Sequence, residues 1–505
     1  MEKASLIAIV LIPMLIITST TSGEAQWGQP ERITFNDYEE WTNPGSVAID
    51  GNDLIHLTWT RENPDSGGQQ VIYMEGTSGG WGEIIALTAG NLICSKPDIA
   101  VHTNGSSHVV WLRGSGDAGE VYYATNASGS WITERVTFNG TTDVHPVVAV
   151  DGDNIPHVCW AGFDTQSGEG KIFYGNRSSG SWEVEALTDS YIGDFWTGAA
   201  PSISVSQNGV VQIAYRGGNF GDYHIHQATN ASGEWTIQEL PSSNTEDFNS
   251  WVLTDYYGAC YLAMSGNDGW GFPYHVYHTQ SSDRGLTWSP RELATGTYSA
   301  TTPVLGVDWY ANSHITWEEV SGNMLTGTIF YSTNQSGSWS SQQITGEWEN
   351  YSPSLAVDGS GGVHVFYVNS EGLVGDSTEV FHLTNSTPTV TLSLIPMGET
   401  VIPRGGSLSL DVTVTNVTDT TITGDLWFTG IVAASGVEFR VPPSYFNIPN
   451  PLHGSIQGGR IIHGTVRIDT PENVPWGLFT LVGSLGDYEE GIYLDRVAVS
   501  VRIVP

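Results

Sequence analysis

The sequence predicts an all-β chain: a seven-bladed β-propeller followed by one β-sandwich. Three observations carry this prediction. First, a Gly/Ser turn ending in Trp recurs six times in the first 340 residues, about fifty residues apart, which is the period of a blade-type repeat. The copies are Gly79-Gly80-Trp81, Gly129-Ser130-Trp131, Gly180-Ser181-Trp182, Gly233-Glu234-Trp235, Gly285-Leu286-Thr287-Trp288 and Gly337-Ser338-Trp339. Second, the segments between them are short, rich in Val, Thr, Tyr and Trp, and free of long amphipathic helical patterns. Third, the period stops near Thr387, and strand-like runs without it fill the rest of the chain.

Each repeat divides into four strands. The first opens with Pro and alternates apolar residues up to a turn, as in Pro146-Val147-Val148-Ala149-Val150-Asp151-Gly152, where Asp-Gly is a tight-hairpin signal. The second is His-x-x-aromatic: His56 to Trp59, His108 to Trp111, His157 to Trp160, His314 to Trp317 and His364 to Tyr367. Gln212 to Tyr215 and Tyr261 to Met264 stand in its place in the fourth and fifth repeats, so the second strand occurs seven times. The third strand is apolar and ends in Tyr, as in Val71-Ile72-Tyr73; the fourth follows the Gly/Ser turn. The seventh repeat lacks its fourth strand. Trp27-Gly28-Gln29-Pro30-Glu31-Arg32-Ile33-Thr34, which matches Trp131 to Thr137, is expected to supply it and close the ring.

The expected organisation is therefore an export signal over residues 1–25, the propeller over 26–386 and an immunoglobulin-like β-sandwich over 387–505. Glu2-Lys3, the apolar run Ala4 to Ile17 and Gly23-Glu24-Ala25 carry the first of these. They predict a secreted or cell-envelope protein with no membrane span once the signal is removed. The three cysteines, Cys94, Cys159 and Cys260, build no disulfide framework. A net charge of −37 repels phosphate backbones, so nucleic acid is not an expected partner.

The Gly/Ser-Trp turn resembles the Asp-box of sialidase-like propellers, Ser-x-Asp-x-Gly-x-Thr-Trp. One copy is complete, with Ser281, Asp283, Gly285, Thr287 and Trp288; the others keep Gly and Trp and lose Asp. The resemblance spans about 360 residues and implies the fold. It does not imply the activity, because in that family the box is a structural turn away from the active site. Sialidases also hold a carboxylate with three arginines and begin with Arg-Ile-Pro; the nearest text here is Arg32-Ile33-Thr34, and no catalytic residue carries over. The C-terminal part looks like the immunoglobulin-like or fibronectin-like modules of secreted bacterial proteins.

The resemblance also implies where a ligand sits: on the face whose loops precede each first strand and follow each second strand. Three arginines, Arg61, Arg113 and Arg216, follow second strands and form a candidate carboxylate or sulfate clamp. The loops before first strands hold Trp41, Asp194, Trp196, Trp251, Trp348 and Tyr351 beside carboxylates, and Trp270 follows a second strand. Flat aromatic faces next to hydrogen-bonding groups suit sugar rings. His145, just before Pro146, is a candidate base.

No metal and no cofactor is expected. The repeated histidines recur once per blade, so ring symmetry spreads them, and buried hydrogen bonding explains them better than ligation. Asp50-Gly51-Asn52-Asp53 and Asp151-Gly152-Asp153-Asn154 read as hairpin turns, because neither has the Glu that completes an EF-hand loop. The expected function is binding of an extracellular glycan or protein on the top face. The alternatives are a polysaccharide-active enzyme, hydrolase or lyase, and a structural envelope component.

Overall fold

A computed structural model describes residues 27–35, 38–63, 66–77, 80–89, 91–115, 118–140, 142–163, 170–188, 200–219, 222–242, 246–267, 274–295, 300–320, 327–346, 350–370 and 378–385 of the repeat region. Beyond it, residues 390–396, 401–403, 406–416, 422–432, 437–440, 452–456, 461–469, 477–487 and 492–504 are described. All regular structure among these residues is β.

The repeats fold into seven antiparallel units, each running outward from its first strand. Blade 2 is typical: Cys94–Val101, Ser107–Ser115, Ala118–Thr125 and Ile132–Arg135 pair in that order. The first strand of each blade contacts that of the next, and Asn350–Val357 of blade 7 contacts Val47–Ile49 of blade 1, so the inner strands form a closed ring. The sheet of blade 7 ends with the N-terminal strand Glu31–Arg32, which pairs antiparallel with Glu379–Thr384. Hydrogen bonds from Gly28 N to Thr384 O and Ile33 N to Val380 O extend that pairing, and Arg32 binds Glu379 at 2.5 Å.

The repeated residues form the cement between blades. Three of the Trp residues that follow a Gly/Ser turn, and Trp27 at the N-terminal strand, pack edge-on against the third strand of the preceding blade: Trp131 on Tyr73, Trp182 on Tyr123, Trp235 on Tyr174 and Trp27 on Tyr331, with centroids 4.8–5.1 Å apart. In three blades the indole N–H reaches an outer-strand Glu of the preceding blade: Trp182 to Glu134, Trp235 to Glu185 and Trp339 to Glu292. The same tyrosines hold the repeated histidines. Tyr73, Tyr123, Tyr174 and Tyr331 bond Nδ1 of His56, His108, His157 and His314 at 2.6–2.8 Å. An Asp of the first hairpin faces Nε2 in blades 3, 6 and 7 (Asp151, Asp308, Asp358). Its other oxygen caps two backbone N–H groups of the turn. The histidines are thus buried hydrogen-bonding residues, and the Asp-Gly segments are turns.

Blade 4 departs from this pattern for a visible reason. Gln212 replaces His and donates to the carbonyl of Arg284 at 2.8 Å, while Gln227 donates to Gln212. Together they seat the turn of blade 5, in which Ser281, Asp283 and Thr287 bond one another. Gly285 (φ 81°) lies so close that a Cβ would stand 2.3 Å from Gln212 Oε1.

The first strands share a β-bulge near their starts, between Ser95 and Asp98, Val144 and Val147, Thr301 and Val304, and Tyr351 and Ser354. Each bulge contains a residue before Pro with left-handed φ: Lys96, His145, Thr302 and Ser352, at 46–53°. Proline has no N–H to lose from the ladder, which suits it to a bulge.

The strands beyond residue 389 form two sheets. Val390–Pro396, Ser407–Asn416 and Ile461–Asp469 make one. Val401–Pro403, Ile492–Val504, Gly477–Asp487, Ile422–Val432, Val437–Arg440 and Leu452–Ile456 make the other. Val390–Pro396 of the first sheet lies against Ile492–Val504 of the second.

Candidate functional site

In each antiparallel blade, the bulges, the ends of the second strands and the starts of the third strands lie at one end. The hairpin turns and the Gly/Ser-Trp turns lie at the other. The first end carries the predicted site residues, and the structure distributes them differently from the expectation.

Two of the arginines share a repeat position: Arg61 and Arg113 each stand five residues past the second-strand His. Arg216 stands four past Gln212, and in a strand one residue changes the face. Blade 3 also separates Arg216 from the other two. Each guanidinium lies over a different ring: Arg61 over Tyr38 at 5.6 Å, Arg113 over Tyr122 at 5.2 Å, and Arg216 over Tyr223 at 4.3 Å and Phe248 at 5.6 Å. Arg113 is exposed and Arg61 half-buried, whereas Arg216 is 2% exposed.

Trp251 is a strand residue rather than a loop residue. It lies in Glu246–Thr254 of blade 5, packs against the cores of blades 5–6 and 6–7, and reaches Gly45 of blade 1, whose Cβ would be 3.3 Å from its ring. Blades 1 and 5 are not neighbours, so this indole crosses the axis of the ring. Asp98 meets it there: its Oδ1 occupies the space beside Gly45, and its Oδ2 accepts a 2.7 Å bond from Val148 N. Burial pushes the Asp98 carboxyl well above the usual carboxylate range, with the Val148 bond acting the other way.

Tyr351 is half-buried in Asn350–Val357 and packs on the core between blades 7 and 1. Trp41 is half-buried in the short strand Glu40–Trp41, opposite Thr60. His145 is the left-handed bulge residue of blade 3, half-buried, in the same position as Lys96, Thr302 and Ser352. Its place before Pro146 is therefore a property of the repeat. Asp194, Trp196, Trp270 and Trp348 lie outside the described residues.

A polar constellation lies at the junction of blades 4 and 5. Arg216, Tyr223 and Phe248 stack there, and Tyr274 meets Phe248 edge-on at 4.7 Å. The Tyr223 hydroxyl is buried and has no hydrogen-bond partner among the described residues. The next residue, His224, faces Asp222 at 3.2 Å through Nε2 and Asp247 at 3.5 Å through Nδ1. Asp247 is fully buried and receives both terminal nitrogens of Arg291, at 2.7 and 2.9 Å. Tyr223, His224 and Arg291 escape the sequence reading. The signal was the start of the third strand of blade 4, where Asp222-Tyr223-His224 precedes Ile225-His226-Gln227, the segment that replaces the usual apolar pair and Tyr. Among the described residues, no three of His, Cys, Asp and Glu are placed to hold a metal ion.

No protein-family model and no curated protein matches the chain. Solved structures do. A fungal alcohol oxidase of the AA5 family, in complex with copper, aligns over 95% of this chain and 100% of its own, at TM-score 0.51 and 11% identity. At that identity the likeness shows the fold alone. A PL25 ulvan lyase bound to a glucuronate–sulfated-rhamnose unit aligns over 68% of this chain and 94% of its own, with TM-score 0.43 and 10% identity. An α-L-arabinanase of Penicillium chrysogenum, complexed with arabinobiose, aligns over 54% and 88%, with TM-score 0.33 and 12% identity.

Proposed function

We propose that this protein is exported and engages an extracellular polysaccharide bearing acidic groups, at the junction of blades 4 and 5. The observation that supports this is Arg216. A guanidinium set between two aromatic rings, beside a buried hydroxyl without a partner among the described residues, suits a site that holds an anionic group against a sugar face.

A second observation favours cleavage over binding alone. His224 lies within reach of two carboxylates, Asp222 and Asp247, so a base and carboxyl groups stand side by side. Such a set serves either glycoside hydrolysis or β-elimination at a uronate. The C-terminal sandwich, read as immunoglobulin-like, then serves attachment.

The test is incubation of the purified protein with acidic polysaccharides, namely polygalacturonate, alginate and sulfated ulvan, and with neutral arabinan. Both binding and products are followed. Arg216→Ala should weaken engagement at least tenfold and Arg216→Lys less, while Arg113→Ala should leave it unchanged. Unsaturated ends identify elimination, and new saturated reducing ends identify hydrolysis. Engagement without products leaves a lectin-like role, and equal engagement by the Arg216→Ala variant removes the reading.

A further inference from the structure

The hairpin turns at the opposite end of the ring differ between blades in a way the turn itself does not require. Their two central residues are Gly51-Asn52, Gly152-Asp153 and Gly359-Ser360 in blades 1, 3 and 7, but Tyr256-Tyr257 and Trp309-Tyr310 in blades 5 and 6. The backbone device is the same in each. Asp50, Asp151, Asp255, Asp308 and Asp358 cap the N–H groups two and four residues on. A left-handed residue follows the central pair: Asp53, Asn154, Gly258, Ala311 and Gly361. Small polar residues satisfy that turn, so the four aromatics are not there to make it.

The aromatics lie together. Tyr256 and Tyr257 meet edge-on at 5.8 Å, Tyr256 and Trp309 are 6.1 Å apart, and Tyr310 is 43% exposed. Tyr256 and Tyr257 line one side of a cleft whose other lining residues include Ser206, Asn208, Thr254 and Arg284. Arg284 holds a left-handed φ of 63°, in the turn seated by Gln212, and its side chain lies against the Gly258 turn. The amide of Asn208 and the guanidinium of Arg284 thus lie across the cleft from the Tyr256–Tyr257 pair.

We infer that the aromatic surface of these two turns, beside this shallow cleft, is a second carbohydrate-binding site, on the face opposite Arg216, taking a pyranose unit of a polysaccharide. The ring's C–H face would stack on Tyr256 and Trp309, and its hydroxyls would bond Asn208 and Arg284. A protein partner fits less well, because the aromatic surface is confined to two adjacent turns and the rim is made of groups suited to hydroxyls. The inference stands apart from the function proposed above, since the two sites share no residue.

The test replaces the aromatics by the residues that other blades use at the same turn positions: Tyr256→Gly with Tyr257→Asn, and Trp309→Gly with Tyr310→Ser. Native gels cast with xyloglucan, arabinan, alginate or polygalacturonate report binding as retarded migration. The expected result is retardation of the parent in at least one gel, at least tenfold weaker binding in the turn variants, and retention of that binding in Arg216→Ala. A single Tyr310→Ser variant, at an exposed site, guards against loss of fold and should give a smaller change of the same sign. No retardation of the parent in any gel, or parent-like retardation of both turn variants, overturns the inference.

Discussion

Replacing His108 by Gln should make the protein less sensitive to acid. The imidazole is 1% exposed. Its Nδ1 meets the hydroxyl of Tyr123 at 2.7 Å and its Nε2 meets Oδ1 of Asn154 at 2.9 Å. One neutral tautomer satisfies both contacts: Nε2–H donates to Asn154 and Nδ1 accepts from Tyr123. A second proton has no place to go, and blade 2 has His102 where blades 3, 6 and 7 carry the facing Asp. Burial accordingly pulls the His108 pKa from 6.5 down to about 4, with the Asn154 bond opposing.

Between those values the unfolded chain binds a proton that the folded chain does not. Stability is therefore full above pH 6.5, falls as the pH drops, and stops falling below about 4. At about 1.4 kcal/mol per pH unit, the loss from this one residue between pH 7 and pH 4.5 is about 2 kcal/mol. Gln can accept and donate in the same places without titrating, as Gln212 does at the matching position of blade 4. Urea unfolding of parent and His108→Gln at pH 7.0 and 4.5 gives the difference directly, and shared carboxylate effects cancel. A parent and variant that lose the same stability over this range would refute the reasoning. His278 and His382, buried and lowered to about 4 and about 3, should each add a similar dependence.

Two further substitutions probe the packing. Gly45→Ala places a Cβ 1.4 Å from Asp98 Oδ1, so the buried carboxyl must leave its bond with Val148. The expected cost is about 3 kcal/mol or more in urea unfolding, and a change under about 0.5 kcal/mol would show that the axis is not packed as described. Trp182→Ala removes the edge contact with Tyr123 and the 2.8 Å bond to Glu134. It should cost about 2 to 3 kcal/mol while leaving far-ultraviolet circular dichroism unchanged, and a neutral result would deny the Trp its role between blades.

The number of blades and the strand pattern within them were legible in the sequence, because one supersecondary unit was written seven times. The matching text of Trp27 to Thr34 and Trp131 to Thr137 placed an N-terminal strand beside Glu379–Thr384 before any coordinate did. Burial of the repeated His was legible for the same reason: a residue repeated with the fold serves the fold. The site was much less legible. Arg61, Arg113 and Arg216 look alike in one dimension, yet an offset of one residue turns Arg216 to the other face of its strand and buries it. Trp251 reads as a loop aromatic, but its contact with Gly45 lies four blades away in the chain. The pairing of Asp247 with Arg291 and His224 joins residues from two blades. Local periodicity dictates strands because it depends on near neighbours. Which side chains converge depends on how the closed ring brings distant segments together, and only the tertiary structure decided that.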